Sequence, residues 1–131
     1  MRADLPWKKV LVVDDAPSVM QSLVLVLRAA GFHAAGEVSA ARALQAAEAH
    51  HPDIVLCDIQ LEETNGVELS LDILKLLPAC RIILMSGDTT SKKMLADAHD
   101  RGHDFEVLAK PMLPQELLAL LGKARVQERI A

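Results

Sequence analysis

Aromatic residues are nearly absent from this 131-residue chain, which has no Tyr, one Trp and two Phe. Proteins that bind single-stranded nucleic acid stack the bases on aromatic side chains, so the chain lacks a platform for that kind of binding. Positive charge is also scarce, because 14 Lys and Arg stand against 18 Asp and Glu and leave a net charge of −4. We therefore predict no direct nucleic-acid partner and no attraction to an anionic membrane surface.

Cysteines and long apolar segments are also few. Cys57 and Cys80 have no metal-binding spacing and lie in apolar, strand-like stretches, which predicts two small buried thiols. The five histidines show no ligand spacing either. No apolar run approaches the roughly 18 residues of a membrane-spanning helix, and residues 1–6 lack the apolar centre of a signal peptide. These features predict a cytoplasmic protein.

The chain does contain one unit that recurs five times, a short apolar run followed by a stretch with helical periodicity. The strands are predicted at residues 10–13, 32–36, 54–57, 81–85 and 105–109. The helices are predicted at residues 19–30, from a Ser39 cap to 50, at 67–77, from a cap at Thr90 or Ser91 to 100, and from Pro114 onwards with Leu117, Leu118, Leu120 and Leu121 facing inward. No linker is visible, so we expect a single domain over residues 1–131 with its core at about residues 9–127.

Strands that alternate with helices predict an α/β fold, here a (βα)5 doubly wound parallel five-stranded sheet with helices on both faces. Right-handed crossovers then require the strand order to reverse, and ligands bind at the carboxyl ends of the strands at that reversal. In the flavodoxin-like order 2-1-3-4-5, strands one and three are neighbours at this point. Their carboxyl ends carry Asp14, Asp15 and Asp58.

Three carboxylates at one edge of a sheet repel each other and are improbable as simple packing, but they suit a hard cation. Mg²⁺ fits better than Ca²⁺, because it needs few protein carboxylates and leaves room for phosphate oxygens. Ser86 closes strand four and Lys110 closes strand five, so a hydroxyl and an ammonium group converge on the same edge. Such a set suits phosphoryl transfer, in which a carboxylate can be the nucleophile.

Five short motifs, each at a strand end and in this order, carry a resemblance to a known family. They are "VLVVDD", "DIVLCD", the eight-residue step from Asp58 to Gly66, "IILMSG" and "AKP". Each motif alone is common, but together they resemble the response-regulator receiver domains of two-component signalling, over nearly the whole chain from about Val10 to Leu121. We expect a stand-alone, chemotaxis-type receiver, and a receiver that is part of a longer regulator is the alternative that the sequence leaves open.

The resemblance implies a role for each residue at this edge. Asp58 would accept the phosphoryl group, and Lys110 would bind a phosphoryl oxygen. Asp14, Asp15, Asp58 and the backbone carbonyl of Gln60 would hold Mg²⁺.

The same resemblance implies that Ser86 is the switch hydroxyl and that the peptide bond from Lys110 to Pro111 is cis. The chain departs from the family pattern at two positions. Glu62 stands where many receivers have a proline, and Val107 stands where many have an aromatic residue that turns inward on activation.

The function implied is a phosphorylation-activated signalling switch. A sensor histidine kinase or a histidine phosphotransfer protein would be the phosphodonor, and the phosphorylated chain would bind a downstream protein through the face formed by helix four, strand five and helix five. Such a domain is not an enzyme acting on a separate substrate, although it catalyses its own phosphorylation and dephosphorylation at Asp58.

Two other functions fit parts of the pattern. An aspartyl-phosphate phosphatase of the haloacid dehalogenase type also uses a strand-end Asp, Mg²⁺ and a Lys, but it carries a second acid where this chain has Gln60. A phosphorylation-independent interaction domain would not need Asp58 and Lys110 intact. Structural roles also remain open, with Asp14 and Asp15 as a capping pair, Ser86 as a turn residue and Lys110 as a solvated charge.

Overall fold

The computed structural model describes residues 8–87 and 91–122, in which strands and helices alternate. The strands are β1 (Lys9–Val13), β2 (His33–Glu37), β3 (Ile54–Asp58), β4 (Arg81–Ser86) and β5 (Glu106–Ala109). The helices are α1 (Pro17–Ala29), α2 (Ala40–His50), α3 (Gly66–Leu76), α4 (Ser91–Asp100) and α5 (Pro114–Leu121).

The five strands form one parallel sheet in the order β2-β1-β3-β4-β5. The predicted (βα)5 fold and its strand order are therefore confirmed. Strands β1 and β3 are neighbours, with Val13 opposite Cys57 at their carboxyl ends. The reversal of strand order lies at this pair, where the sequence places the acids.

The element boundaries differ from the predicted ones by one or two residues. Helix α1 begins at Pro17, because proline suits the first helical position, where no backbone donor is needed. Strand β2 is displaced by one residue, and β5 begins at Glu106. Thr90 and the predicted core residues 123–127 lie outside the described residues. The longest helix, α1, has 13 residues, and no helix in the described ranges is long and apolar enough to cross a membrane.

The core has two layers, one on each face of the sheet. Alternate residues of each strand point to opposite faces, so β1 contributes Leu11 and Val13 to one layer and Val10 and Val12 to the other. The first layer packs against residues of α2, α3 and α4, and the second packs against residues of α1 and α5. Strand β3 is buried along its whole length, which explains its continuous apolar sequence.

The four leucines of α5 contact the core as predicted, although to different depths, whereas the predicted burial of Cys80 needs correction. Leu117 and Leu121 of α5 are buried, whereas Leu118 and Leu120 are only half-buried at the rim of the core. Cys57 is buried as predicted, but Cys80 is half-buried, because it lies in the turn before β4 and its N–H donates to the Leu77 carbonyl.

Both cysteines are free thiols. Burial raises the pKa of Cys57, with a smaller contribution from the charges of Asp58 and Asp14. Burial, together with the charge of Asp53, raises the pKa of Cys80 to about 11. Neither thiol is therefore a reactive thiolate at neutral pH.

Candidate phosphoacceptor and metal site

The carboxyl ends of four adjacent strands meet at one edge of the sheet. Asp14 follows Val13, whose partner Cys57 precedes Asp58. The register continues across the sheet, since Asp58 is opposite Met85 and Ser86 is opposite Ala109, the residue before Lys110. The fold therefore brings the predicted strand-end residues to the same edge, as their positions in the sequence suggested.

Asp14, Asp15 and Asp58 form a tight acidic cluster. Each offers a carboxylate oxygen, and these oxygens all lie within 4.8 Å of one another. Asp14 and Asp58 are buried, and Asp15 is half-buried. Two carboxylates about 4 Å apart repel by about 4 kcal/mol at the effective dielectric constant of a protein surface, so the cluster needs positive charge.

Lys110 supplies part of that positive charge. Its Nζ lies 3.0 Å from Asp58 Oδ2 and 3.2 Å from Asp14 Oδ2. Burial opposes the charge and alone would lower the pKa of Lys110, but the hydrogen bonds to Asp58 and Asp14 and their negative charge raise the pKa above its ordinary value. The ammonium group is therefore held charged between the two buried acids. The peptide bond from Lys110 to Pro111 is cis, as the resemblance implied.

Asp14 also has a structural role. Its Oδ1 accepts a hydrogen bond of 3.0 Å from the N–H of Ala16, the residue that precedes α1. The side chain thus closes a turn before the helix, while its other oxygen contacts Lys110; the N-cap of α1 is Ala16, and no side chain caps this helix. The two roles use different oxygens and are compatible.

The loop after Asp58 is held close to the strand. The N–H of Gln60 donates to Asp58 Oδ1 at 3.2 Å, so both carboxylate oxygens of Asp58 accept a hydrogen bond. Gln60 also forms an antiparallel bridge with Asn65, and the N–H of Gly66 donates to the Ile59 carbonyl at 2.7 Å. The loop is therefore closed at its base.

Gly66 has a packing role that the sequence pattern did not explain. A Cβ at this position would lie 2.2 Å from the carbonyl oxygen of Asp58. The eight-residue step from Asp58 to Gly66 thus reflects a direct backbone contact.

The sequence analysis also missed the cap of α3. The Asn65 side chain accepts a hydrogen bond of 2.9 Å from the Glu68 N–H. The spacing from Asn65 to Glu68 is the signal that indicates this cap.

The Gln60 N–H contacts Asp58, and Ser86 lies at the carboxyl end of β4, one residue after Met85, the register partner of Asp58. Ser86 ends β4, is half-exposed, and accepts a hydrogen bond of 2.9 Å from the Lys110 N–H on its backbone carbonyl. The two positions that depart from the family pattern are both exposed. Glu62 lies in the loop between β3 and α3, and Val107 on β5 is 42% exposed.

The acidic cluster has the donor chemistry of a magnesium site. Its ligands are hard carboxylate oxygens, and two ligands on opposite sides of Mg²⁺ are about 4.2 Å apart, close to the span of this cluster. Three carboxylates and the Lys110 ammonium leave a net charge of −2, which one divalent cation would neutralise. The residues present therefore fit the ion.

The sequence was also compared with known protein families. The family model of the response regulator receiver domain matches residues 10–122. The chain belongs to this family. Its receiver domain is 32% identical to the chemotaxis protein CheY of Thermotoga maritima over 117 residues, covering 88% of this chain and 96% of CheY.

Other relatives show the same relationship. The DNA-binding response regulator MtrA of Mycolicibacterium smegmatis is 31% identical over 116 residues, which cover 88% of this chain but 50% of MtrA. The receiver domain thus spans about half the length of that regulator. Among solved structures, a CheY-like receiver domain protein of Methanospirillum hungatei superposes with a TM-score of 0.79 at 26% identity, over 88% of this chain and 90% of that one.

Proposed function

We propose that this receiver domain is a phosphorylation-activated signalling switch in which Asp58 accepts the phosphoryl group. The observation that carries the proposal is the position of Lys110, whose ammonium group contacts both Asp58 and Asp14 inside the acidic cluster. An ammonium group held there is placed to bind an oxygen of a group attached to Asp58. A role limited to structure would not need three acids at the same point.

The cofactor in this proposal is Mg²⁺. The carboxylates of Asp14, Asp15 and Asp58 and the backbone carbonyl of Gln60 would hold the ion. When bound, it neutralises negative charge on the phosphoryl oxygens, which is the main requirement of phosphoryl transfer.

The reaction begins with an oxygen of the Asp58 carboxylate. It attacks the phosphorus of a phosphohistidine on the donor protein, and the new O–P bond forms as the P–N bond breaks, with the electron pair leaving on the imidazole nitrogen. Lys110 stays within hydrogen-bond distance of Asp58 and stabilises the added charge. Hydrolysis of the acyl phosphate by water then restores the carboxylate and releases phosphate, so the domain catalyses both steps on itself.

Phosphorylation would be transmitted through Ser86 to the surface formed by α4, β5 and α5. The Ser86 hydroxyl would donate a hydrogen bond to a phosphoryl oxygen. The partners are then a sensor histidine kinase or phosphotransfer protein as donor and a downstream protein bound at this surface, where Val107 is exposed. Because such kinases take their phosphoryl group from ATP, the proposed location is the cytoplasm.

Acetyl phosphate tests the proposal without the cognate kinase. With Mg²⁺, intact-mass analysis of the wild type should show the addition of one phosphoryl group, and Asp58→Asn should lose it. Asp72→Asn is the matched control, because Asp72 is an exposed acid on α3. Phosphorylation that persists in Asp58→Asn would refute the assignment, and sustained turnover of unrelated phosphate monoesters would favour the phosphatase alternative.

A further inference from the structure

Strand β2 lies at one edge of the sheet. Among the residues that the structure describes, β2 pairs only with β1. On the inner side, the His33 N–H donates to the Lys8 carbonyl at 3.0 Å and the Glu37 carbonyl accepts from the Asp14 N–H at 3.2 Å. Because backbone groups alternate in direction along a strand, the intervening Ala34 and Gly36 direct their N–H and C=O groups to the outer side.

Nothing bulky on the strand itself covers this edge. The outward-directed residues and the one between them, Ala35, have minimal side chains. A groove of about 540 Å³ is lined by Ala34 and Ala35 together with residues of α1 and α2. A Cβ at Gly36 would lie 2.1 Å from the sulfur of Met20, so even an alanine there would displace that side chain. An accessible edge of this kind is a template for another strand.

The edge is complementary to a second copy of itself. In an antiparallel pair centred on Ala35, Ala34 of one copy lies opposite Gly36 of the other, so all outward N–H and C=O groups are paired. The same register sets His33 opposite Glu37 of the other copy, a combination that attracts when the imidazole is protonated and can hydrogen-bond when it is neutral. No like charges face each other along the strand.

Arg28 of α1 occupies one of the acceptors that this pairing needs. Its Nε donates a hydrogen bond of 2.8 Å to the Ala34 carbonyl. The guanidinium therefore lies where the Gly36 N–H of a second copy would bind. We propose that the outer edge of β2 is a self-association surface for a second copy of this chain, paired antiparallel through β2, and that Arg28 keeps it closed. This surface is separate from the Asp58 site.

Removal of the guanidinium tests the proposal. Arg28→Ala should form dimers with a dissociation constant at least tenfold lower than that of the wild type, measured by sedimentation velocity over a range of concentrations. Arg42→Ala is the matched control, because Arg42 is an exposed arginine at the start of α2, and it should behave as the wild type. Arg28→Ala that associates no more than the wild type would overturn the proposal. No phosphodonor is present, so the result is independent of the function of Asp58.

Three further variants locate the contact and guard against misfolding. Adding Ala35→Lys to Arg28→Ala places two like charges at the two-fold axis and should restore the monomer, whereas adding Ala35→Ser should not. Hydrogen exchange should show protection of the Ala34 and Gly36 amides that rises with concentration. If Arg28→Ala is poorly folded by circular dichroism, Arg28→Met keeps the aliphatic stem without the donor and should dimerise. Dimers that persist with Ala35→Lys would show that pairing does not use this edge.

Discussion

Gly66 couples the start of α3 to the backbone of the proposed phosphoacceptor. A Cβ at this position would lie 2.2 Å from the Asp58 carbonyl oxygen and 2.9 Å from the Ile59 Cα. The helix cannot simply withdraw, since the Gly66 N–H donates to the Ile59 carbonyl at 2.7 Å. Gly66→Ala therefore forces a shift of at least 0.8 Å, the difference between the 3.0 Å that a Cβ contact requires and the 2.2 Å present.

Two opposing contributions set the change in the free energy of unfolding for Gly66→Ala. Overpacking of a filled site costs roughly 1–3 kcal/mol, and the upper end applies here because the obstructing atoms are backbone. Alanine regains up to about 1 kcal/mol of helix propensity, so the free energy of unfolding should fall by about 2 kcal/mol and Tm by roughly 6–10 °C. Because a misplacement of about 1 Å can slow catalysis about a hundredfold, phosphorylation by acetyl phosphate should slow by roughly ten- to a hundredfold.

Two other glycines provide graded controls. A Cβ at Gly36 would meet the flexible Met20 side chain, so Gly36→Ala should cost less than Gly66→Ala. Among the described residues, the nearest atom to a Cβ at Gly87 would be Lys110 Cδ at 3.8 Å, so Gly87→Ala should keep wild-type stability. Thermal melts and intact-mass time courses of the three variants measure both effects. Wild-type stability and phosphorylation rate in Gly66→Ala would refute the reasoning.

Three further predictions follow from the site and the core. Mg²⁺ at ten times its dissociation constant should stabilise the wild type by about 1.4 kcal/mol, and Asp15→Ala should lose most of this gain in thermal melts; an equal gain in both proteins would count against the metal site. Ser86→Ala should still be phosphorylated but show a much smaller phosphorylation-dependent change in the hydrogen exchange of α4, because it lacks a hydrogen bond to a charged group that contributes roughly 1.5–3 kcal/mol. A change as large as that of the wild type would show that Ser86 does not transmit phosphorylation. The Ser70 hydroxyl is buried without a hydrogen-bond partner among the described residues, so Ser70→Ala should raise the free energy of unfolding by about 1 kcal/mol in urea titrations, and a loss of stability would contradict this.

The fold was predictable because the spacing of apolar residues indicates each strand and helix in the sequence itself. Strand β3 is apolar at every position up to its terminal acid, which is typical of a strand covered on both faces. The predicted range of β2 was wrong by one residue, because the alanines and glycine of this strand have no clear strand preference. Its structure is set by pairing with β1 and by Arg28, which contacts it from another element.

Only the part of the site that depends on the order of the strands could be predicted. Parallel strands bring their carboxyl ends together, so the neighbourhood of Asp14, Asp58 and Lys110 followed from strand order alone. What strand order does not specify is how the loops between strands are held, because a motif such as the step from Asp58 to Gly66 does not reveal which backbone atoms are in contact. The Lys110 N–H bonded to the Ser86 carbonyl and the Gly66 Cα against the Asp58 carbonyl are of this kind. Each ties a proposed site residue to the backbone of its neighbour, so a change in the contacts of Asp58 on phosphorylation would be passed directly to the chain on either side.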